Sequence, residues 1–474
     1  MCPIWPLHLI ILYLLALCPL WVIVQAVPEL TASFDPEQIT VNMDEYHLVN
    51  VAVEGPMQLG DEFSLVAENP HLTLPEWNTT YHLTEDNIAS SKFESVIKVN
   101  GKFLGLTNVL LEGRRGSEPL TINNNKLPVV VIRPERVIDT IFVTSIATFV
   151  SLIFINFGCA MDWPTVKETI KRPVGPIIGM VGQFIFMPLM TFGLGYVIFP
   201  NNAEMRLGMF FTGVAPGGGA SNIWTFILGG NLNLSLAMTT LSTIAAFGFM
   251  PLWLFSLGQV VFANAQIVVP YTRIATFVVG LIVPLAIGLA MQRFTPKIAA
   301  FMVRILKGFS TTLLLFIIVF AIVTNIYIFE LFNWQIIVAG MGIPWLGYCA
   351  GYALARACRQ PHADALAVSI ETGIQNTGIA IFLLRYSLGQ PLADLTTVVP
   401  VSAAIMTPIP MTCIYIYQKI KACFINRRKH KKMLEEDVTP SGESPQPAIV
   451  STADLYGRTA KGLEAGGHDA PDAK

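Results

Sequence analysis

From about Val137 to Phe424, apolar stretches follow one another with short polar interruptions, each long enough to cross a hydrocarbon core of about 30 Å. Such a pattern dictates a polytopic α-helical membrane protein, because a spanning segment in lipid has to satisfy its own backbone hydrogen bonds. The composition agrees, with 53% of residues hydrophobic and 13% charged. Nine spans can be marked, at 137–159, 174–199, 205–228, 233–257, 267–291, 300–327, 335–357, 363–388 and 394–418. An odd count puts the two ends of the bundle on opposite sides. Lys167, Lys171 and Arg172 follow the first span, Arg293, Lys297, Arg304 and Lys307 the fifth, and Arg356 with Arg359 the seventh. The ninth runs into QKIKACFINRRKHKK, whereas the opposite loops hold only isolated Arg206, Arg273 and Arg385. The positive-inside rule therefore predicts an extracellular amino terminus and a cytoplasmic carboxyl terminus.

Ahead of the bundle, residues 1–26 read as a signal peptide: an apolar run from His8 ends in Val24-Gln25-Ala26, with cleavage expected after Ala26. Only His8 and the amino terminus supply positive charge before that run, so an uncleaved anchor is the alternative. Residues 27–136 are polar and punctuated, with short β-branched runs such as QITVNM, HLVNVAV, SVIKV and LPVVVIR. These predict a small extracellular β-sandwich without the inter-sheet disulfide of antibody domains, since the segment has no cysteine. Asn78-Thr79-Thr80 is a glycosylation sequon there, whereas Asn233-Leu234-Ser235 falls at a turn assigned to the cytoplasm and is discounted. Residues 421–474 read as a disordered cytoplasmic tail. The seven cysteines are scattered, with no CxxC and no His/Cys cluster, so neither zinc nor a disulfide framework is indicated.

Two spans depart from plain helices. The third carries VAPGGGASNIW from Val214 and the eighth ETGIQNTG from Glu371, each near its middle. Proline and glycine remove helical hydrogen bonds, and broken backbone at membrane depth survives only where it is buried in protein or lines a wet cavity. The breaks lie five spans apart, as expected of two inverted five-helix repeats lacking the first helix. Unwound helices in matching positions are the best sequence pointer to a secondary transporter's binding site.

The chemistry at these breaks is oxygen-rich, which suits a hard alkali cation, sodium above all. Ser221 and Asn222 open the second half of span three, Ser235 and Thr239 are four apart on span four, and Glu371 and Gln375 are four apart on span eight. Gln183 is a further uncharged polar group in span two. A carboxylate at a helix centre costs about 2.5–3.5 kcal/mol, so Glu371 needs a partner, and no basic residue lies mid-span to supply one. A bound cation meets that need. Taken singly, an intramembrane carboxyl can be protonated, glycines can serve close helix packing, and hydroxyls can bond back to their own helix. Their coincidence in two broken spans favours a site.

These stretches resemble the bile acid/sodium symporter family, which includes the animal sodium/bile-acid cotransporters. The resemblance covers about Val137 to Ile420 and is carried by VGQFIFMPLMTFGLGY from Val181, APGGGASNIWTFILGGNLNLSLAMTTLST from Ala215, FGFMPL from Phe247 and SIETGIQNTGIAI from Ser369. It implies, over residues 137–420, a nine-helix fold of panel and core domains with two broken helices crossing near the midplane. Position by position it implies one sodium held by Ser221, Asn222, Ser235, Thr239 and Glu371. A second would use Gln183, Glu371 and Gln375 with the carbonyls of Thr372 and Ile374. Substrate would lie beside the crossing, near Asn376 and the Gly219 backbone. The long amino-terminal domain is more like the orphan P3-type members, in which the serine-asparagine pair and the glutamines are altered. Here the full set is present.

The resulting expectation is sodium-coupled symport of an organic anion (a bile-acid-like molecule, a sulfated steroid or another amphipathic carboxylate or sulfate) by alternating access, at the plasma membrane. The runner-up is a non-transporting receptor or scaffold acting through the sandwich, whose own protein partner the sequence does not name. No enzyme is expected, because the spans hold no nucleophile–base pair, HExxH motif or aspartyl pair, and no cofactor beyond Na+ is implied. The basic cluster Arg427–Lys432 is short and juxtamembrane, suited to topology or to anionic membrane lipid, and nucleic acid is not an expected partner.

Overall fold

The computed structural model describes residues 29–77, 83–134, 137–161, 163–171, 173–264, 270–304, 329 and 331–436. The expected signal peptide, Asn78 and most of the sixth span lie outside the described residues.

Strict alternation of apolar and polar residues builds the amino-terminal part. One sheet has the order β5(Thr73–Trp77)-β6(Lys92–Gly101)-β3(Tyr46–Glu54)-β1(Leu30–Asp35)-β9(Ile122–Asn123). The other runs β2(Ile39–Asn42)-β10(Lys126–Ile132)-β7(Gly105–Arg115)-β4(Asp61–Ala67), with β8(Glu118–Leu120) paired to β7. The β1–β9 and β2–β10 pairs are parallel and the rest antiparallel. Every second residue points inward: Val49, Val51, Val53, Ile97 and Val99 of the first sheet meet Val109, Leu111, Leu127, Val129 and Val131 of the second in one core. Each such side chain contributes about 1.5–3 kcal/mol by leaving water. Phe63 and Phe93 stack between the sheets at 5.6 Å. At the rim, Arg115 Nε and Nη2 donate to Asp61 Oδ1 and Oδ2 at 2.6 and 2.9 Å. That guanidinium holds the Asp61 carboxyl below its ordinary value of 3.8. A short helix, α1(Glu85–Ser90), capped by Thr84, interrupts the strands; its capping-box signal is only four residues long.

The chain then becomes helical: α2(Val137–Ala160), the amphipathic α3(Trp163–Lys171), α4(Val174–Ile198), α5(Ala203–Val214), α6(Ala220–Leu228), α7(Leu232–Phe255), α8(Leu257–Asn264), α9(Tyr271–Phe294), α10(Trp334–Ala357), α11(His362–Gly373), α12(Thr377–Ser387), α13(Leu392–Leu395), α14(Val398–Met406) and α15(Pro408–Glu436). Among the described residues five helical stretches are long and apolar enough to cross a membrane: Val174–Ile198, Leu232–Phe255, Tyr271–Phe294, Trp334–Ala357 and Leu392–Ile425. Ala147–Ala160 and Thr377–Ser387 are shorter apolar helices. Small residues set the closest approaches, as is usual where lipid offers no hydrophobic drive between helices. A Cβ on Gly158 of α2 would lie 2.6 Å from the Leu285 carbonyl of α9, and one on Gly351 of α10 would lie 2.9 Å from Ser369 Cα of α11.

One boundary differs from the sequence reading. The described part of α15 continues to Glu436, past the expected start of a disordered tail at 421. Neither proline nor glycine occurs between Met411 and Val438, and the basic stretch is made of good helix formers, so nothing local stops the helix. Residues 437–474 lie outside the described residues.

Candidate functional site

Both helix breaks fall where the glycines and proline lie. The first separates α5 from α6 at Ala215–Gly219, and the second separates α11 from α12 at Ile374–Asn376. The freed backbone groups find each other. Gly218 N–H donates to the Ile374 carbonyl at 2.7 Å, Asn376 N–H donates to the Pro216 carbonyl at 2.8 Å, and Gly217 and Gln375 form an antiparallel bridge. Two interruptions, each costly alone in a bilayer, thus satisfy one another. Asn376 also caps α12, its Oδ1 accepting from Ile379 N–H at 3.2 Å.

Glu371, in the last turn of α11, is buried beside this crossing. Its Oε2 accepts from Ser221 Oγ at 2.6 Å, Thr239 Oγ1 at 3.0 Å and Ser235 Oγ at 3.5 Å. Asn222 Oδ1 competes for two of the same hydroxyls, lying 2.9 Å from Ser235 Oγ and 3.4 Å from Thr239 Oγ1. Each hydroxyl has one proton, so Ser235 and Thr239 cannot serve both acceptors at once. Five oxygens from α6, α7 and α11 therefore converge with more lone pairs than protons. Glu371 Oε1 has no hydrogen-bond partner among the described residues. Leaving a buried acceptor of this kind unmet costs about 1–3 kcal/mol, more when it is charged. An all-oxygen cluster with an orphaned carboxylate oxygen is the chemistry of a hard-cation site.

The second group of expected ligands comes together differently. The four-residue spacing of Glu371 and Gln375 does not place them on one helix face, because α11 ends at Gly373. Gln375 turns instead to Gln183: Gln183 Nε2 donates to Gln375 Oε1 at 2.7 Å and to the Ala215 carbonyl at 2.7 Å. Gln375 Nε2 donates to the Thr372 carbonyl at 2.8 Å, and the Ile374 carbonyl is taken by Gly218. Thr372 Oγ1 is buried without a partner among the described residues. Gly219 is exposed, with open space where a side chain would stand.

Several contributors escape sequence reasoning. Gln183 is positioned by a π-helical turn, Gly182–Phe186, inside α4. Such turns free a carbonyl, and here Trp253 Nε1 donates to the Phe184 carbonyl at 2.7 Å. Gly217 approaches the carboxylate so closely that a Cβ there would lie 2.5 Å from Glu371 Oε1. Thr225 Oγ1 donates to Ser235 Oγ at 3.3 Å; its position four residues after Ser221 is the one signal that could have found it. Arg206 and Arg273, expected in loops, lie instead in the first turns of α5 and α9 and donate to backbone carbonyls of Phe199, Pro200 and Ser387.

Residues 147–330 match the Sodium Bile acid symporter family. The human P3 protein is 32% identical over 268 residues, 56% of each chain, so the match spans little more than half that relative's length. The ileal sodium/bile acid cotransporter of Oryctolagus cuniculus is 32% identical over 266 residues, 55% of this chain and 74% of the relative. The sodium-dependent organic anion transporter of Rattus norvegicus is 30% identical over 264 residues, 55% of this chain and 70% of the relative. The chain belongs to the sodium/bile acid symporter family.

Proposed function

We propose that this protein is a sodium-coupled symporter of an organic anion, working by alternating access. It is a multi-pass integral membrane protein of a transporter family and not an enzyme. The observation that carries the reading is the buried Glu371 carboxylate with one oxygen bonded by hydroxyls and the other unpartnered among the described residues. Sodium fits that donor set, with Ser221, Asn222, Ser235, Thr239 and Glu371 as its ligands. A second sodium is held by Gln183, Glu371, Gln375 and the carbonyls of Thr372 and Ile374 once the glutamine pair opens. The ion supplies positive charge to a carboxylate that has no basic partner among the described residues, and its departure leaves Glu371 under-bonded. The anion docks beside Asn376 and the Gly219 backbone, where the amino-terminal ends of α6 and α12 present partial positive charge.

In this reading residues 137–420 form nine helices in panel and core bodies with inverted repeats. Residues 1–26 are removed, the sandwich (27–136) is extracellular with a glycan on Asn78, and the carboxyl terminus faces the cytoplasm of the plasma membrane. Two sodium ions entering with one monovalent anion carry net positive charge inward, which a membrane potential drives with about 2.3 kcal/mol per charge per 100 mV. The test is uptake of conjugated bile acids and sulfated steroids into voltage-clamped cells, in sodium and then in potassium. Sodium-dependent uptake with inward current is expected. Uptake indifferent to the cation defeats the reading, and electroneutral uptake defeats the stoichiometry.

A further inference from the structure

The sandwich is joined to the helices by buried charge as well as by the chain. Arg133 directly follows β10, and its Nε lies 3.4 Å from Asp394 Oδ2 in α13. Asp394 Oδ1 meets Arg385 Nη2, from the last turn of α12, at 2.9 Å. The side chains are 9%, 0% and 5% exposed for Arg133, Asp394 and Arg385. Ion pairs sequestered to this degree are replaceable by apolar packing with little loss of stability, and their best-attested use is to fix register.

The register fixed here is that of the helix breaks. α13 packs against both α5 and α12, and those two helices pack against each other. They are the halves of the broken spans on the Asp394 side of the crossing. At its far end α5 runs into Ala215, whose carbonyl takes Gln183, and α12 starts at Asn376, bonded to Pro216. The covalent path from Arg133 leads into α2, which interlocks with α9 through Gly158 and Gly288, and both of these helices also pack on α12. The sandwich root is thus continuous with the α2–α9 pair and ionically tied to the α5–α12 pair.

We propose that Arg133 and Asp394 are positioning residues for ion binding: they clamp the ends of α5 and α12 so that the opposite ends keep the crossing closed around the Glu371 cluster. This rests on the symport reading above. It makes the extracellular domain part of the transport cycle, because any movement of α2–α9 relative to the broken helices strains the Arg133–Asp394 contact. By linkage, the clamp strengthens sodium binding and sodium strengthens the clamp by the same factor.

The experiment is a sodium titration, against potassium at constant ionic strength, of the thermal midpoint of the detergent-purified full-length protein. Wild type, Arg133→Ala, Arg133→Lys and Asp394→Asn are compared. Arg133→Ala leaves the Arg385–Asp394 pair in place and is the gentlest break. It is expected to raise the sodium concentration for half-maximal stabilisation about fivefold or more, the usual scale of coupling between sites, with Arg133→Lys restoring most of the affinity. An unchanged sodium requirement in Arg133→Ala overturns the proposal, even if its midpoint in potassium falls, because that is the behaviour of a merely structural bridge. Should Arg133→Ala not yield monodisperse protein, Arg133→Gln is read on the same scale. A wild type indifferent to sodium instead defeats the symport reading itself, and is recognised before any variant is measured.

Discussion

Glu371→Gln separates an ion ligand from a buried structural acid, because the two roles predict opposite signs. The substitution keeps the shape and one carbonyl oxygen and removes the charge. Ser221 and Thr239 retain an acceptor, and Thr239 has a second one in the Ser235 carbonyl at 3.0 Å. The glutamine brings its own donors to a site that has an excess of acceptors. Without sodium, the wild type buries an acceptor that has no partner among the described residues, a cost of about 1–3 kcal/mol that the amide lowers. In potassium, Glu371→Gln is therefore expected to melt at or above the wild type. In sodium the order reverses. Ligand at ten times its dissociation constant stabilises the folded state by about 1.4 kcal/mol, a rise of about 1–2 °C for a chain of this size, and saturating sodium raises it further. The wild type is expected to show that rise and Glu371→Gln to lose it. A well-folded Glu371→Gln protein that keeps the full sodium shift refutes the assignment. One that melts far below the wild type in both salts shows that the carboxylate is needed for packing.

Gly217→Ala inserts a methyl 2.5 Å from Glu371 Oε1 and so displaces that carboxylate without replacing any ligand residue; the sodium shift is expected to fall to near zero in a protein that still folds. Gln183→Leu removes the bonds to Gln375 and Ala215; it is expected to lower the dependence of uptake on sodium from second order towards first, read from the Hill slope. In the sandwich, the Asp61 carboxyl titrates below its ordinary 3.8, so the stabilisation it gives is complete above that pH and is lost as pH falls through the lower folded value. Protection factors of the β4 and β7 amides should fall below pH 3.8, with Asp61→Asn removing that loss, while Arg115→Ala costs about 1 kcal/mol at neutral pH because the arginine end of the pair is 39% exposed. Glycosidase treatment should lower the apparent mass of the wild type and leave Asn78→Gln unchanged.

What could be read from the chain was whatever repeats along one element. Alternation in HLVNVAV and LPVVVIR placed β3 and β10, and apolar length placed helices such as Val174–Ile198 and Trp334–Ala357. Proline and glycine clusters located both breaks, because their effect on a helix is local. Glu371 stood out through its cost in lipid, and the hydroxyls around it through four-residue spacing on α7. The remainder depends on complementarity between elements far apart in sequence. Ala215 and Gln183, Gly217 and Glu371, and Arg133 and Asp394 carry no mark of their pairing. The π-helical turn at Gln183 is equally silent, since Gly182–Phe186 has the composition of any apolar helix.

The same distinction explains why spacing misled at Gln375. A four-residue interval implies a shared face only while the helix continues, and α11 stops two residues earlier. Beyond that stop the backbone, not the helix period, aims each side chain. Gln375 follows the bridge to Gly217, and that bridge exists only because a second break, 157 residues earlier by the positions of Gly218 and Gln375, offers its own free carbonyl and amide. Each break frees backbone groups that are costly at membrane depth, and each meets some of those of the other. An ion held by Ser221 on one side of the crossing and Glu371 on the other therefore reports on whether both breaks are correctly paired. That is how a small cation can bias the arrangement of helices that it does not touch.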